Sequence, residues 1–286
     1  ITKSTMKHEE DATMAGTLYL VATPIGNLGD MTLRAADTLR EVDFIAAEDT
    51  RVTVKLLNHL DIKKPMVSYF EHNRFERGPV IAERILSGEN CALVTDAGMP
   101  AISDPGEDLV KLCIEKGIRV ESVPGPCAFA TALAVSGMPS RRFTFEGFLP
   151  MEKSERKEHI ESLIGEQRTM IFYEAPHKLS QTLKDLGKTL GDREIAIVRE
   201  LTKIHEQVIR TSLSAAAEKY SEESIKGEIV LIVKGAEKPE KVQMTLEQAV
   251  EYAKELVAKG EGKSDAAKIA AKESGLKKGD IYKSIV

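Results

Sequence analysis

The chain has 286 residues, more than a single hydrophobic core usually organises, so two domains with an appendage are expected. Its 42% hydrophobic and 30% charged residues exclude disorder over most of the length. A formal charge of -5 excludes a global basic footprint, so any nucleic-acid contact has to come from local patches.

The opening segment ITKSTMKHEEDATM is polar and lacks the apolar stretch of a signal peptide. Residues 1–15 are therefore read as a disordered extension or a cloning remnant. No run reaches the ~18 to 20 apolar residues of a membrane span, and the chain reads as a cytoplasmic protein with no membrane association. Cys91, Cys113 and Cys127 lack C-x-x-C spacing and fit buried thiols in a reducing compartment. No two of the six histidines stand at metal-ligand spacing, so no metal site is expected.

From Gly16 onward, strand and helix patterns alternate: LYLVAT, TLRAADTLREV, FIAAEDT, VTVKLLNHL, PMVSYF, GPVIAERILSG, CALVTDAG, GEDLVKLCIEKG and RVESVPG. This βαβα order predicts a parallel sheet with helices on its faces, an N-terminal α/β domain over residues 16–138. Ligands of such sheets bind beyond the carboxyl ends of the strands. Three small-residue turns sit there, Thr23 to Asn27, Asp96 to Pro100 and Pro124 to Pro126, and are expected to converge. MPSRRFTFEGFLP, with two prolines and clustered aromatics, breaks the alternation and reads as a junction. A second α/β domain is expected over residues 139–236, ending in the buried strand EIVLIVKG. After the polar segment AEKPEKVQM, residues 245–286 show three short helical patterns. Two of these flank SGLKKGD with helix-turn-helix spacing, although eight lysines against seven acids leave the region without a strong basic bias.

The first turn looks like the start of a nucleotide site, yet LYLVATPIGNLGD has neither the Lys-Ser/Thr pair of a triphosphate loop nor a G-x-G-x-x-G. AAEDTR places Glu48, Asp49 and Arg51 directly after a strand. Either carboxylate fits orientation or deprotonation of a hydroxyl, and Arg51 fits a phosphate; equally, Asp49 is a good helix N-cap. YFEHNRFERG, with His72, Asn73 and Arg77, and MEKSERKEHI, with Lys153, Arg156 and Lys157, read as basic loops suited to RNA. Cys127 reads as a small filler rather than a nucleophile.

Taken in series, LYLVATPIGNLGDMTLRAADTLREVDFIAAEDTR, VTDAGMPAISDPG, VPGPCAFATALAVSGMP, FEGFLP, FYEAPHKL and RELTKIHE resemble the tetrapyrrole-methylase-like group of S-adenosylmethionine enzymes, in its small-subunit ribosomal RNA branch. Each motif is short, and the shared order carries the resemblance, which covers about residues 16–236. It implies two α/β domains with S-adenosylmethionine in a cleft between them, a homodimer, and 2'-O-methylation of a cytidine in the 16S rRNA of the small ribosomal subunit. By resemblance, main-chain groups from Ala97 to Ile102, Gly98 and Met99 among them, meet the cofactor; Pro24, Asp96, Thr131, Ala132, Phe172 and Tyr173 are the further cofactor candidates, with core packing between the domains the equal alternative for Phe172 and Tyr173. Glu48, Asp49 and Arg51, read from their place after the strand, are the catalytic candidates; by resemblance RELTKIHE, with Glu200, Lys203 and His205, faces the same cleft, where Lys203 or His205 is the candidate for helping the proton leave. Met99 stands where sister enzymes carry an acid, and Pro24 departs from their Gly-Pro-Gly loop, which favours an RNA acceptor over a tetrapyrrole. A small-molecule methyltransferase and a non-catalytic RNA-binding assembly module are the alternatives.

Overall fold

The computed structural model describes residues 15–237 and 244–285. All but the last residue of the expected N-terminal extension, and most of the AEKPEKVQM segment, lie outside the described residues. The chain divides after Ala236 into two compact units.

The first unit opens with a five-stranded parallel sheet built from β1 (Thr17–Val21), β2 (Phe44–Ala47), β3 (Met66–Ser68), β4 (Cys91–Val94) and β5 (Arg119–Val123), in the order β3-β2-β4-β1-β5. Strand alternation divides the apolar residues between two faces. Phe44 and Ala46 join the core formed with α3 (Arg74–Leu86) and α4 (Gly106–Glu115), whereas Ile45 and Ala47 face α1 (Leu33–Glu41) and α2 (Thr50–His59). Thr32 caps α1 by accepting from the Ala35 amide at 3.1 Å, and Asp49 caps α2 by accepting from the Arg51 amide at 2.8 Å.

α5 (Ala128–Ser136) follows β5 and is built almost wholly of apolar residues, with Ala132, Leu133 and Ser136 on its buried face and Ala130 and Ala134 exposed. Its Ala132 and Leu133 pack with Ile25 of the first turn against Ile171, Val198, Val230 and Ile232 of a second sheet. The first half of the unit is thereby joined to the second through a shared core.

That second sheet contains β6 (Phe143–Phe148), β7 (Thr169–Glu174), β8 (Glu194–Arg199), β9 (Gln207–Ser212) and β10 (Ile229–Val233), ordered β6-β7-β10-β8-β9. Only β6 and β7 run parallel; the remaining pairs are antiparallel. Its other face is covered by α6 (Lys153–Ser162), α7 (Leu179–Leu190) and α8 (Leu213–Glu222), whose Ile160, Leu183, Leu186 and Leu213 pack on Met170, Phe172, Ile197 and Leu231. The aromatic segment read as a junction is β6 itself. MEKSERKEHI, read as a loop, forms most of α6, capped by the Glu152 carboxylate.

The second unit consists of α9 (Leu246–Ala258), α10 (Lys263–Ser274) and α11 (Lys278–Ile285). Thr245 and Gln248 form a capping box at the start of α9, and Gly275, at φ +73°, ends α10 in the left-handed conformation. Ala249, Ala253, Ala267, Ala270 and Ile281 form a core of small side chains that belongs to this unit alone.

Candidate functional site

The turns after β1 and β4 clasp each other. Thr23 and Gly98 exchange backbone hydrogen bonds of 3.0 and 3.1 Å, and the Thr23 hydroxyl donates to the Thr95 carbonyl at 3.1 Å. Gly98 has φ +92°, and a Cβ there would stand 3.3 Å from Ile25 and 3.6 Å from the Pro126 carbonyl. The third turn therefore lies against the other two, and the three converge as the sequence predicts. Beyond Gly98 the backbone is strained: Ala101 and Ser103 hold φ of +65° and +63° without being glycine. Asp104 stabilises this path by accepting from the amides of Ala101 at 2.6 Å and Gly106 at 3.2 Å. Burial pushes its carboxyl above the usual range.

Between these turns and the second sheet lies a cleft of about 310 Å³. Its first wall holds Glu48, Thr95, Ala97, Gly98, Met99, Ile102, Ser103, Asp104 and Cys127; its second holds Phe148, Tyr173, Glu174, Val198, Leu201 and residues 227–230. Among the described residues the lining carries four carboxylates, Glu48, Asp104, Glu174 and Glu228, and no lysine, arginine or histidine. Such a surface disfavours phosphates and suits a ligand with cationic groups. Tyr173 accepts from the Phe129 amide at 3.2 Å, packs edge-on to Phe145 and Phe148, and is pushed up to about 12 by burial. Burial likewise raises the Cys127 thiol, which keeps it from acting as a nucleophile near neutral pH.

A second concavity, of about 350 Å³, shares Ile25, Thr95, Ala97 and Glu228 with the cleft and adds Thr23, Pro24, Gly26, Val52, Thr53, Lys55, Asp96 and Lys203. Glu48 accepts from the Thr95 hydroxyl at 2.5 Å and the Asp96 amide at 3.2 Å, and Asp96 accepts from the Asp49 amide at 3.1 Å. Burial, and then the Glu48 charge, raise the Asp96 carboxyl above its ordinary value. Asp49 differs: its hydrogen bonds with Arg51, at 3.0 and 2.6 Å, hold it down at about 2, so it is a poor proton acceptor. Lys203 lays its stem over Gly26 and bonds Glu200 at 3.0 Å and Glu228 at 3.1 Å. Burial opposes its charge, but the two carboxylate hydrogen bonds outweigh burial and raise its pKa, so Lys203 is an ammonium and not a base.

The sequence-predicted residues thus separate. Ala97, Gly98, Met99, Ile102, Tyr173 and Glu48 line the cleft, while Pro24, Asp96 and Lys203 line the second concavity, which Ala97 shares. Phe172 does not reach the cleft, because strand alternation turns it into the core under α6 and α7. Ala132 is fully buried in the shared core, and the Thr131 hydroxyl turns back to the Cys127 carbonyl at 2.8 Å. Arg51 is 87% exposed and paired with Asp49 beside the site. Asn73 pins its own turn, accepting from the Phe70 amide at 2.8 Å and donating to the Ser68 carbonyl at 3.1 Å. His72, Arg77 and His205 are exposed and line neither concavity. Lys153, Arg156 and Lys157 line a separate groove between α6 and α7.

Sequence reasoning missed Glu174 and Glu228. Glu174, 5% exposed, accepts from the Ala175 amide at 2.8 Å and from the Thr182 hydroxyl. Thr182 in turn accepts from Arg156 at 2.8 Å, and Arg156 donates to Asp185 at 2.9 Å. A signal for Glu174 was available, since an acid ends the apolar run TMIFYE at the edge of the crevice. Glu228 opens a strand, and only the antiparallel direction of β10 puts that end at the cleft.

The family profile of the Tetrapyrrole (Corrin/Porphyrin) Methylases matches residues 17–217. The chain belongs to the tetrapyrrole methylase family. Among its relatives in that family, a protein of Halalkalibacterium halodurans named Ribosomal RNA small subunit methyltransferase I is 48% identical over 93% of each chain. Its Bacillus subtilis namesake is 47% identical over 93% of each. A solved tetrapyrrole methylase, uroporphyrin-III C-methyl transferase from Thermus thermophilus crystallised with S-adenosyl homocysteine, superposes with TM-score 0.55 at 17% identity over 77% of this chain and 97% of its own. A conserved hypothetical protein from Aeropyrum pernix K1 superposes with TM-score 0.60 at 17% identity over 95% of both chains. These two likenesses establish the fold, two α/β halves flanking a cleft.

Proposed function

We propose that this protein transfers the methyl group of S-adenosylmethionine to the 2'-oxygen of a cytidine ribose in the 16S rRNA of the small ribosomal subunit. The observation that carries the reading is a cleft lined, among the described residues, by four carboxylates and no basic side chain, sharing a wall with a second concavity that holds lysines. The names of the bacterial relatives support an RNA acceptor, and the neighbour crystallised with S-adenosyl homocysteine supports the cofactor.

The residues fit that cofactor. Bound in the cleft, S-adenosylmethionine supplies a methyl group activated on a sulfonium. Backbone groups from Ala97 to Ile102 can approach a ligand closely because Gly98 carries no side chain and Asp104 fixes the loop. Apolar Ile102, Val198, Leu201 and Val230 exclude water, and the carboxylates offset positive charge. Two concavities with a common wall suit in-line transfer, where alignment supplies much of the rate. Of the acids beside the second concavity, Asp96 is the better proton acceptor because its pKa is raised, whereas Asp49 is held at about 2. Lys203 and Lys55 bring positive charge to the second concavity, and Arg51, exposed beside it, is the further candidate for an RNA phosphate. Such a protein works in the cytoplasm; the homodimer implied by the sequence resemblance is retained in this proposal.

The test is methyl transfer from labelled S-adenosylmethionine to small ribosomal subunits lacking their native methylation, with mapping of the labelled atom. Label on one cytidine 2'-oxygen is expected. If cofactor-binding protein leaves subunits and free rRNA unlabelled, the RNA reading fails and a small-molecule acceptor replaces it.

A further inference from the structure

The groove between α6 and α7 stands apart from both concavities, with a volume of about 640 Å³. Among the described residues, Lys153, Arg156, Lys157, Lys178 and Lys188 line it against two acids, Glu161 and Asp185, on a chain whose overall charge is -5. Arg156 and Asp185 satisfy each other at 2.9 Å, and Lys157 approaches Glu161 at 3.7 Å. That leaves Lys153, Lys178 and Lys188 with no carboxylate within ion-pair distance among the described residues. The ammonium of Lys178 meets only the thioether of Met151, a weak acceptor. A helix of about ten residues separates Lys178 from Lys188, which spreads the free charge over roughly 15 Å.

Two segments of chain run from the lining of the cleft to that of the groove. Phe148, Glu174 and Pro176 line the cleft, while Pro150, Met151 and Lys178, two to three residues further on, line the groove. Phe148, which packs edge-on to Tyr173, is 58% exposed. An aromatic face beside a row of unpaired ammonium groups is the combination that holds single-stranded nucleic acid, bases by stacking and phosphates by charge. An acidic protein segment would use the charge and leave the ring without a partner.

We propose that the α6–α7 groove holds the phosphodiester backbone of an RNA strand whose neighbouring nucleotide enters the cleft, with Lys178 and Lys188 as phosphate contacts and Phe148 as the stacking face. The assignment rests on the RNA reading given above. Arg156 forms the floor of this groove and its charge is already matched by Asp185, so the free lysines carry the binding.

The test compares wild-type protein with Lys178→Gln/Lys188→Gln and with Lys178→Arg/Lys188→Arg, measuring affinity for naked 16S rRNA and for small subunits against salt. The Gln pair is expected to lose on the order of 10- to 30-fold in affinity at ~0.1 M salt and to flatten the logarithmic salt slope by about 1.4, two single-strand phosphates' worth. The Arg pair, which keeps both charges, is expected to bind as wild type. Unchanged affinity and slope in the Gln pair, while wild type methylates RNA, overturn the groove assignment alone. Loss confined to whole subunits, with naked RNA bound normally, assigns the groove to a ribosomal protein and also overturns it. Wild-type protein that neither binds nor methylates RNA removes the underlying reading as well.

Discussion

Asp49 and Asp96 lie on neighbouring turns and are joined by one hydrogen bond, yet their environments move them in opposite directions. Arg51 favours the Asp49 carboxylate, so its contribution to stability is present above the unfolded pKa of roughly 4 and is lost as pH falls toward about 2. Burial and the Glu48 charge disfavour the Asp96 carboxylate, so the folded state is destabilised once pH rises past that same unfolded value. Asp96→Asn is therefore expected to raise the thermal midpoint at pH 7, with the gain vanishing near pH 3, and Asp49→Asn to lower it; melting curves across pH measure both. An Asp96→Asn variant no more stable than wild type at pH 7 would contradict the environment described for Asp96. Thr182 is a different case: fully buried, it donates to Glu174 and accepts from Arg156. Thr182→Val removes the partner of Glu174 Oε2 and of one Arg156 Nη, while Ala175 and Asp185 still hold the rest of each group, and is expected to cost about 1 to 3 kcal/mol, read from urea unfolding. Residues next to turns, such as Glu48, Asp49 and Asp96, were legible because a polar group directly after an apolar strand stands out. The chain from Glu174 through Thr182 to Arg156 was not, since Thr182 and Arg156 come from two helices whose packing no spacing rule connects.

At the level of elements, the loop after β4 shows which parts of the sequence speak plainly. The small-residue turn read from Asp96 to Pro100 is present with Gly98 at φ +92°, whereas the left-handed Ala101 and Ser103 and the Asp104 carboxylate that holds them carried no such signal. Gly98→Ala places a side chain at φ +92° and 3.3 Å from Ile25, and the expected outcome is a destabilisation of about 1 to 3 kcal/mol. Calorimetric titration with S-adenosylmethionine is expected to show at least tenfold weaker binding, because the loop is the backbone wall of the cleft. Retained affinity would move the cofactor away from this wall. The parallel first sheet was legible since each strand is followed by a helix, which forces the crossover. The second sheet was only half legible: β8, β9 and β10 are antiparallel, and β9 (QVIRTS) merges into the capped start of α8, so periodicity marked the helix and hid the strand. β6 was hidden by its own irregularity, a bulge between Phe145 and Gly147 with Gly147 at φ +62°.

Across the whole molecule, cohesion is unevenly distributed. α5 and Ile25 lie in one core with the second sheet, so residues 15–236 cannot be cut between the sheets without exposing Ile171, Val198, Val230 and Ile232. The helices from Leu246 to Ile285 have their own core of alanines and one isoleucine, and small side chains bury little apolar area. That asymmetry predicts the outcome of truncation. A chain ending at Ala236 is expected to fold, to melt in one cooperative transition and to bind S-adenosylmethionine as tightly as the full chain, because every residue lining the cleft precedes Val233. The isolated helices are expected to be marginal, as domains of about 50 residues without disulfides or metals commonly are. Circular dichroism and cofactor titration of the two pieces measure both expectations. A truncated chain that folds but no longer binds the cofactor would mean that the terminal helices support the cleft, and the site would then have to be redrawn to include them.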